Sequence, residues 1–212
     1  INASSVSQET KDQAKGQALF LRAMQLFDLV RMYGCVPIVT TVLNAEATDA
    51  GLPRASVTQC IDQIVKDLTE ASTLLPDEWG TNDYGRLTRG GALAYKSRVL
   101  LFYASPIFNK NWNDAGNIRW QQALKATQDA MSGITASGLN GVTDAVTWGK
   151  ILADDDNEHS NRETFVVRLL AKESNSSLGY KNNRWEKSIR LTSQGGSGGK
   201  GVPIELIDVF PM

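Results

Sequence analysis

The sequence predicts a mostly α-helical protein with long irregular loops and little β-structure. Four segments within residues 11–131 carry apolar side chains three and four positions apart, the spacing that places them on one helical face. Each segment is followed closely by a glycine or a proline, which end helices. Residues 133–201, in contrast, are polar and rich in loop-forming residues.

The first predicted helix spans residues 11–33. Gly34 stands where a helix commonly ends in a left-handed conformation, and Pro37 prevents the helix from resuming. A short apolar, extended segment is therefore expected next. The apolar stripe of this helix consists of Leu19, Phe20, Ala23, Leu26, Phe27, Val30 and Tyr33.

The second predicted helix covers residues 56–75, with Ser56 as its N-cap and Pro76 at its end. The third covers residues 88–105, with Thr88 as a plausible cap. Because its apolar side chains fall on two faces, we expect this helix in a middle layer.

The fourth predicted helix covers residues 117–131, and Gly133 is expected to end it. Two of the helices share the offsets of a tetratricopeptide second helix, in which small and large apolar residues alternate so that two helices can cross closely. These positions are Ile64, Leu68, Ala71 and Pro76 in the second helix, and Ala123, Thr127 and Ala130 in the fourth. The sequence therefore predicts a tetratricopeptide-like helical-repeat superhelix.

The predicted organisation has two parts: a helical region, 1–132, and a loop-rich region, 133–212. Within the second part, residues 164–170 (TFVVRLL) are β-branched and apolar enough for a short strand. The segment GGSGGKG, residues 195–201, has the composition of a flexible linker or mobile loop.

Composition removes several classes of function. The net charge of −1 gives no overall field that would attract nucleic acid, and apolar runs are too short to span a membrane. His159 is the only histidine, and the carboxylates of residues 154–158 are favoured as a solvated acidic loop, with a calcium site left open. Cys35 and Cys60 are expected to be buried thiols. No catalytic residue, metal site or cofactor is predicted.

Aromatic residues beside amides and charges are the candidate ligand contacts. Flat indole and phenol rings can pack against the C–H faces of sugars, while neighbouring polar groups bind the hydroxyls. Trp120 falls on the fourth helix and is expected in the core. The candidate residues are Trp79, Tyr84, Trp112, Asn113, Trp148 and Trp185.

Several blocks of sequence resemble one known family. They are FLRAMQLFDLVRMYGCVPIV, RASVTQCIDQIVKDLTEASTLLP, GRLTRGGALAYKSRVLLFYASP, RWQQALKATQDAM and VPIELIDVFPM. In this order and spacing they resemble the SusD/RagB family of nutrient-binding outer-membrane lipoproteins. Among the family-like positions, Arg22 and Arg86 are interpreted as structural.

The resemblance implies a tetratricopeptide-like fold and a surface-exposed position on the cell outer membrane, with a lipid anchor that lies outside this chain. It also implies capture of an oligosaccharide or polysaccharide, or of a peptide, and its transfer to a TonB-dependent, SusC-like transporter, without bond cleavage. Because the chain starts at Ile1 and ends directly after an apolar segment, an internal piece of a longer protein is expected. A tetratricopeptide adaptor for another protein is the alternative, and an enzyme is disfavoured because no carboxylate pair stands out.

Overall fold

The computed structural model describes residues 5–43, 51–80 and 83–136, together with positions 144, 146 and 166. The four principal helices are α1 (Gln8–Tyr33), α2 (Val57–Leu74), α3 (Arg89–Ala104) and α4 (Ile118–Ala136). No strand occurs in the described ranges. The mostly helical fold predicted from the sequence is therefore confirmed.

Helix α1 begins three residues before its predicted start because Ser7 caps it. The Ser7 hydroxyl accepts a hydrogen bond from the backbone N–H of Thr10 at 3.2 Å. At the other end Gly34 has a φ of 70° and donates its N–H to the carbonyl of Val30 at 2.9 Å. This left-handed φ favours glycine, and it ends α1 where the sequence predicted.

The predicted caps of α2 and α3 are confirmed. Ser56 and Gln59 form a reciprocal capping box, in which each side chain accepts from the other residue's backbone N–H. The hydroxyl of Thr88 accepts from the backbone N–H of Gly91 at 3.1 Å. Both caps pair backbone N–H groups that have no partner inside the helix.

Helix α4 does not end before Gly133, as the sequence predicted, but continues to Ala136. A Cβ atom at Gly133 would lie 2.8 Å from Cδ1 of Leu93 on α3. Gly133 thus lies where two helices approach closely, and it is not a helix terminator. The predicted 132/133 region boundary itself stays a prediction, because most residues beyond 136 lie outside the description.

Each helix packs antiparallel against the next one along the chain. Helices α1 and α2 run in opposite directions, because contacts move backward along α2 as they move forward from α1. Residue 16 meets 75, residue 22 meets 67, and residue 36, just after α1, meets 60. Contacts of residue 58 with 103 and of 69 with 96 show the same for α2 and α3. Helix α3 lies between α2 and α4, which confirms its predicted middle position.

The core lies between α1, α2 and α3. Phe27 of α1 meets Tyr95 and Phe102 of α3 edge-on, with ring centroids 5.9 and 5.3 Å apart. Such edge-to-face arrangements are favourable for aromatic pairs. The large side chains that are fully buried are Phe20, Phe27, Ile61, Ile64, Leu68, Val30 and Val99.

The tetratricopeptide-type positions have the predicted burial with one exception. Ile64, Leu68 and Ala71 of α2 are fully buried, and Ala123 and Ala130 of α4 are also buried. Thr127 is exposed, and its hydroxyl donates to the carbonyl of Ala123 one turn earlier. The small alanines therefore face the helix contact, while Thr127 satisfies its own hydroxyl.

The prediction that both thiols are buried is wrong for Cys35. Cys60 is fully buried, whereas Cys35 is exposed, and both are free. Side chains alternate in an extended segment, so burial of Val36 turns Cys35 outward. The segment is tied to the start of α2, since Arg54 donates to the Cys35 carbonyl at 2.7 Å.

Several other predictions concern residues outside the description. These are the strand at 164–170, the linker at 195–201, and the acidic run at 154–158 with His159; only position 166 among them is described. In the described part of the chain, no helix has the length and hydrophobicity needed to cross a membrane.

Candidate functional site

The loop between α3 and α4, residues 105–117, presents the most exposed of the described tryptophans. Trp112 is 48% exposed, and Asn113 beside it is also exposed. Successive turns bind the loop backbone to itself: the N–H of Trp112 donates to the carbonyl of Asn109, and that of Asp114 to Asn111, each at 3.1 Å. We call this segment the α3–α4 loop.

A pair of asparagines holds the base of the α3–α4 loop. Asn109 is only 6% exposed, and its amide nitrogen donates to the Ala104 carbonyl and to the Asn117 side-chain oxygen, each at 3.0 Å. Asn117 returns a hydrogen bond to the Asn109 side-chain oxygen at 3.1 Å and donates to the Asn111 carbonyl at 2.8 Å. These bonds fix both amide orientations and join the two ends of the loop.

The first turn of α4 adds two further contacts to the loop. The Arg119 guanidinium lies 3.9 Å from the centroid of the Tyr103 ring and donates to the carbonyl of Phe108. The indole N–H of Trp120 donates to the carbonyl of Trp112 at 2.7 Å. Trp120, expected in the core, is instead half-buried and supports the loop from below.

The exposed groups of the loop tip suit a polar ligand with apolar C–H faces. Trp112 offers an aromatic surface, and Asn111 and Asn113 offer amide donors and acceptors. Lys110 and Asp114 carry opposite charges, so the tip has no strong charge of one sign. Such a surface can stack on and hydrogen-bond to a ligand.

Trp79 occupies a different place and closes the connection between α2 and α3. Its indole N–H donates to the Leu87 carbonyl at 2.8 Å, and its partly buried ring packs against the core. The Arg86 guanidinium lies 5.2 Å from the ring centroid and also pairs with Asp83 at 3.0 Å. Arg86 thus has the structural role that the sequence analysis gave it.

The candidate aromatics do not form one cluster in the described structure. Trp79 is hydrogen-bonded to Leu87, two residues before α3 begins, whereas Trp112 lies in the loop after α3 ends, and a helix of 16 residues is about 24 Å long. Tyr84 is half-buried in the same connection as Trp79. Trp148 and Trp185 lie outside the described residues, so their predicted ligand contacts remain predictions.

A groove of about 430 Å³ beside the α3–α4 loop escaped the sequence analysis. Its apolar wall includes Val65, Leu100 and Ile118, and Gln121 and Lys125 of α4 stand at its polar side. Because α2, α3 and α4 all contribute, the residues come together only through packing. The only local signal of the groove was the spacing of Ile118, Gln121 and Lys125, which places them on one face of a helix.

An ion pair between Arg22 of α1 and Asp67 of α2 joins these two helices. Both oxygens of buried Asp67 accept from Arg22 at 2.7 Å, and Gln63 donates to the same carboxylate at 2.7 Å. Hydrogen bonding to Asp67 raises the pKa of Arg22, which keeps the guanidinium charged. Among the described residues, no group of three or more His, Cys, Asp and Glu side chains could hold a metal ion.

Comparisons with known proteins give a consistent result. Residues 1–101 match the SusD-like family described as starch-binding and associating with the outer membrane. A SusD-like protein of Formosa agariphila, P38, is 31% identical over 90 residues, which are 42% of this chain and 17% of the relative.

Solved structures of SusD-like proteins share the fold. One from Bacteroides fragilis is 28% identical, with a TM-score of 0.63 over 82% of this chain and 30% of that protein. A SusD-like carbohydrate-binding protein, also from Bacteroides fragilis, is 26% identical with a TM-score of 0.50 over 61% of this chain and 23% of that protein. The chain thus spans less than a third of each of these relatives. The resemblance found in the sequence is confirmed.

Proposed function

We propose that this chain, whose residues 1–101 match the SusD-like family, is part of a surface-exposed, lipid-anchored outer-membrane protein that captures oligosaccharides. The captured glycan passes to a TonB-dependent transporter of the SusC-like type, and no bond of the glycan is cleaved. In this proposal the protein contacts the membrane through its lipid anchor.

The observation that carries glycan capture is the exposure of Trp112 on a fixed loop. An indole that is 48% exposed leaves apolar surface in water, which is unfavourable unless a ligand covers it. The loop beneath it is bound at both ends by the asparagine pair and by Trp120. A preformed aromatic surface lowers the entropy cost of binding a flexible glycan.

The absence of bond cleavage is supported by the chemistry of this loop. Glycosidases place two carboxyl groups on either side of the scissile bond, roughly 5–10 Å apart. The α3–α4 loop contains one carboxylate, Asp114, among amide and aromatic groups. The proposal therefore assigns stacking and hydrogen bonding to this surface and no reaction step.

Purification of the full-length protein from detergent-solubilised outer membranes tests the transfer step. Co-eluting proteins are identified by mass spectrometry, and a strain lacking the tag on this protein serves as the control. The proposal predicts a large β-barrel transporter in stoichiometric amount. Elution alone, or with soluble proteins only, contradicts it.

A protein–protein adaptor is the second candidate function, and the groove beside the α3–α4 loop favours it. The groove has an apolar wall and a polar side, which is the composition of many peptide-binding surfaces. A peptide cargo within the same family is a further alternative. If soluble proteins co-purify specifically and a Leu100→Asp variant in the groove removes them, the adaptor function replaces glycan capture.

A further inference from the structure

We infer that Asn109 and Asn117 are positioning residues for ligand capture: their reciprocal amide pair holds the Trp112 indole in its binding orientation. This inference rests on the proposed glycan capture by the α3–α4 loop. Neither side chain is exposed enough to be a main ligand contact, because Asn109 is 6% exposed and Asn117 is half-buried. Their effect on binding would therefore pass through the exposed residues of the loop that they hold, and we assign it chiefly to Trp112.

The amide pair connects the two helices that the loop joins. Asn109 donates to the Ala104 carbonyl in the last turn of α3, and Asn117 accepts from the Arg119 N–H at the start of α4. Through the pair, the end of one helix and the start of the next are held at a fixed separation. The intervening loop then has a defined span to cross.

Trp112 is tied to this frame from two directions. Its backbone N–H donates to the Asn109 carbonyl at 3.1 Å, and its carbonyl accepts from the Trp120 indole at 2.7 Å. One residue before it, the Asn111 carbonyl accepts from Asn117 at 2.8 Å. The backbone on both sides of the exposed indole is thus fixed by groups that belong to, or adjoin, the asparagine pair.

The hydrogen-bond network depends on both asparagines being amides, because each uses its side-chain nitrogen as a donor and its side-chain oxygen as an acceptor. The Asn117 nitrogen donates to two oxygens, while its oxygen accepts from Asn109 and from Arg119. A carboxylate at position 117 can accept the same two bonds but cannot donate. It would face the oxygens of Asn109 and Asn111 at hydrogen-bond distance, which is repulsive.

Because aspartate at position 117 keeps the acceptor bonds and loses only the donor bonds, it can separate an effect on the position of the loop from an effect on the stability of α4. Asn117→Asp keeps the oxygen that caps α4, since aspartate is as good an N-cap as asparagine. Asn117→Ala loses both the cap and the donors. Gln63→Ala, which removes one hydrogen bond to Asp67 at the contact between α1 and α2, serves as the control.

The test uses the full-length protein labelled with 5-fluorotryptophan, and Trp112→Phe identifies the fluorine resonance of Trp112. The inference predicts that Asn117→Asp and Asn109→Ala move or broaden the Trp112 resonance, while the Trp79 resonance stays in place. Gln63→Ala should leave both unchanged. A Trp112 resonance that is unchanged in Asn117→Asp overturns the positioning role.

Binding of maltoheptaose, a soluble starch fragment, gives the second readout. We expect Asn117→Asp to weaken binding about three- to tenfold, because the indole must then be ordered at the moment of binding. Trp112→Ala should weaken binding at least as much. If the Trp112 resonance moves but Trp112→Ala leaves binding unchanged, glycan binding by the loop is disproved, while the positioning of Trp112 by the two asparagines stands. The two failures are therefore distinguishable.

Discussion

The contact between α1 and α2 and the α3–α4 loop are stabilised in different ways. At the first, Phe20, Phe27 and Leu68 are fully buried, and the buried carboxylate of Asp67 is paired with Arg22. In the second, a pair of side-chain amides, buried Asn109 and half-buried Asn117, supports an indole that stays half exposed. The first region removes apolar surface from water, whereas the second keeps apolar surface in water at a fixed position.

The difference indicates a division of labour within the described structure. Burial of large side chains provides the free energy of folding, at about 25 cal/mol for each Å² of apolar area removed from water. An exposed indole contributes little to stability. Its position is instead specified by directional hydrogen bonds. Mutations in the two regions should therefore affect different measurements.

The largest expected effect is the loss of a core ring by Phe27→Ala. Phe27 is 1% exposed and contacts two aromatic rings of α3, so its removal leaves a cavity. We expect the free energy of unfolding to fall by about 3–5 kcal/mol, measured by urea denaturation. Leu21→Ala, at a position 51% exposed on the same helix, should change it by less than about 0.5 kcal/mol. Equal effects would contradict the assignment of the core.

The next effect is the unpairing of a buried ion pair by Asp67→Ala. Its removal leaves Arg22, which is 35% exposed, without its bidentate partner. We expect a loss of about 2–3 kcal/mol, below the range for a fully buried pair because Arg22 can regain some water. Asp129→Ala breaks the exposed pair with Lys125 and should cost under about 0.5 kcal/mol. A comparable loss of unfolding free energy in both variants would contradict the proposed difference between the buried and the exposed ion pair.

Two glycine substitutions compare how closely the helices fit. At Gly16 a Cβ atom would lie 2.9 Å from Cγ of Leu75 and 3.1 Å from Cβ of Leu74, atoms near the backbone that cannot easily move. Overpacking should outweigh the gain in helix propensity of about 1 kcal/mol, so Gly16→Ala should destabilise the protein by about 1 kcal/mol.

At Gly133 the close atom is Cδ1 of Leu93, the far end of a flexible side chain. Rotation of Leu93 can relieve the contact, so Gly133→Ala should be neutral within about 0.5 kcal/mol. Thermal denaturation of the two variants side by side measures the difference. If Gly133→Ala costs more than Gly16→Ala, the α3–α4 contact is the tighter one.

The smallest expected effect is the pH dependence from Glu70. A hydrogen bond from Lys15 lowers the pKa of Glu70 below its ordinary value of 4.5. Glu70 therefore contributes stability above its unfolded pKa, and this contribution is lost as pH falls through the lowered folded pKa. The Tm difference between wild type and Glu70→Gln should shrink between about pH 6 and pH 3. A difference that grows on acidification would contradict the sign.

Local rules predicted the helices well because their start and stop signals lie within a few residues. Ser56, Thr88 and Gly34 were assigned correctly, since a cap depends on nearby backbone groups. Ser7 was missed, although the same rule applied, because the residues following it are polar and carry no apolar period. The fold class followed from these elements.

Errors arose where a distant part of the chain decides the outcome. Gly133 lies where α4 approaches Leu93 of α3, some forty residues earlier, and no local pattern distinguishes this role from a terminator. Cys35 is exposed because its neighbour Val36 fills the core below the start of α2. Trp112 and Asn113 could be proposed from composition, but the hydrogen-bonded pair of Asn109 and Asn117 that supports their loop could not.

Binding of glycan by the exposed indole of Trp112 can be tested by one comparison of three proteins. Affinity electrophoresis of the full-length protein through gels containing soluble neutral polysaccharides measures retardation for wild type, Trp112→Ala and Trp79→Phe. We expect retardation of wild type and of Trp79→Phe, and loss of retardation in Trp112→Ala, which should keep the wild-type Tm. Retardation that survives in Trp112→Ala, or its absence in wild type with every polysaccharide, would contradict the claim.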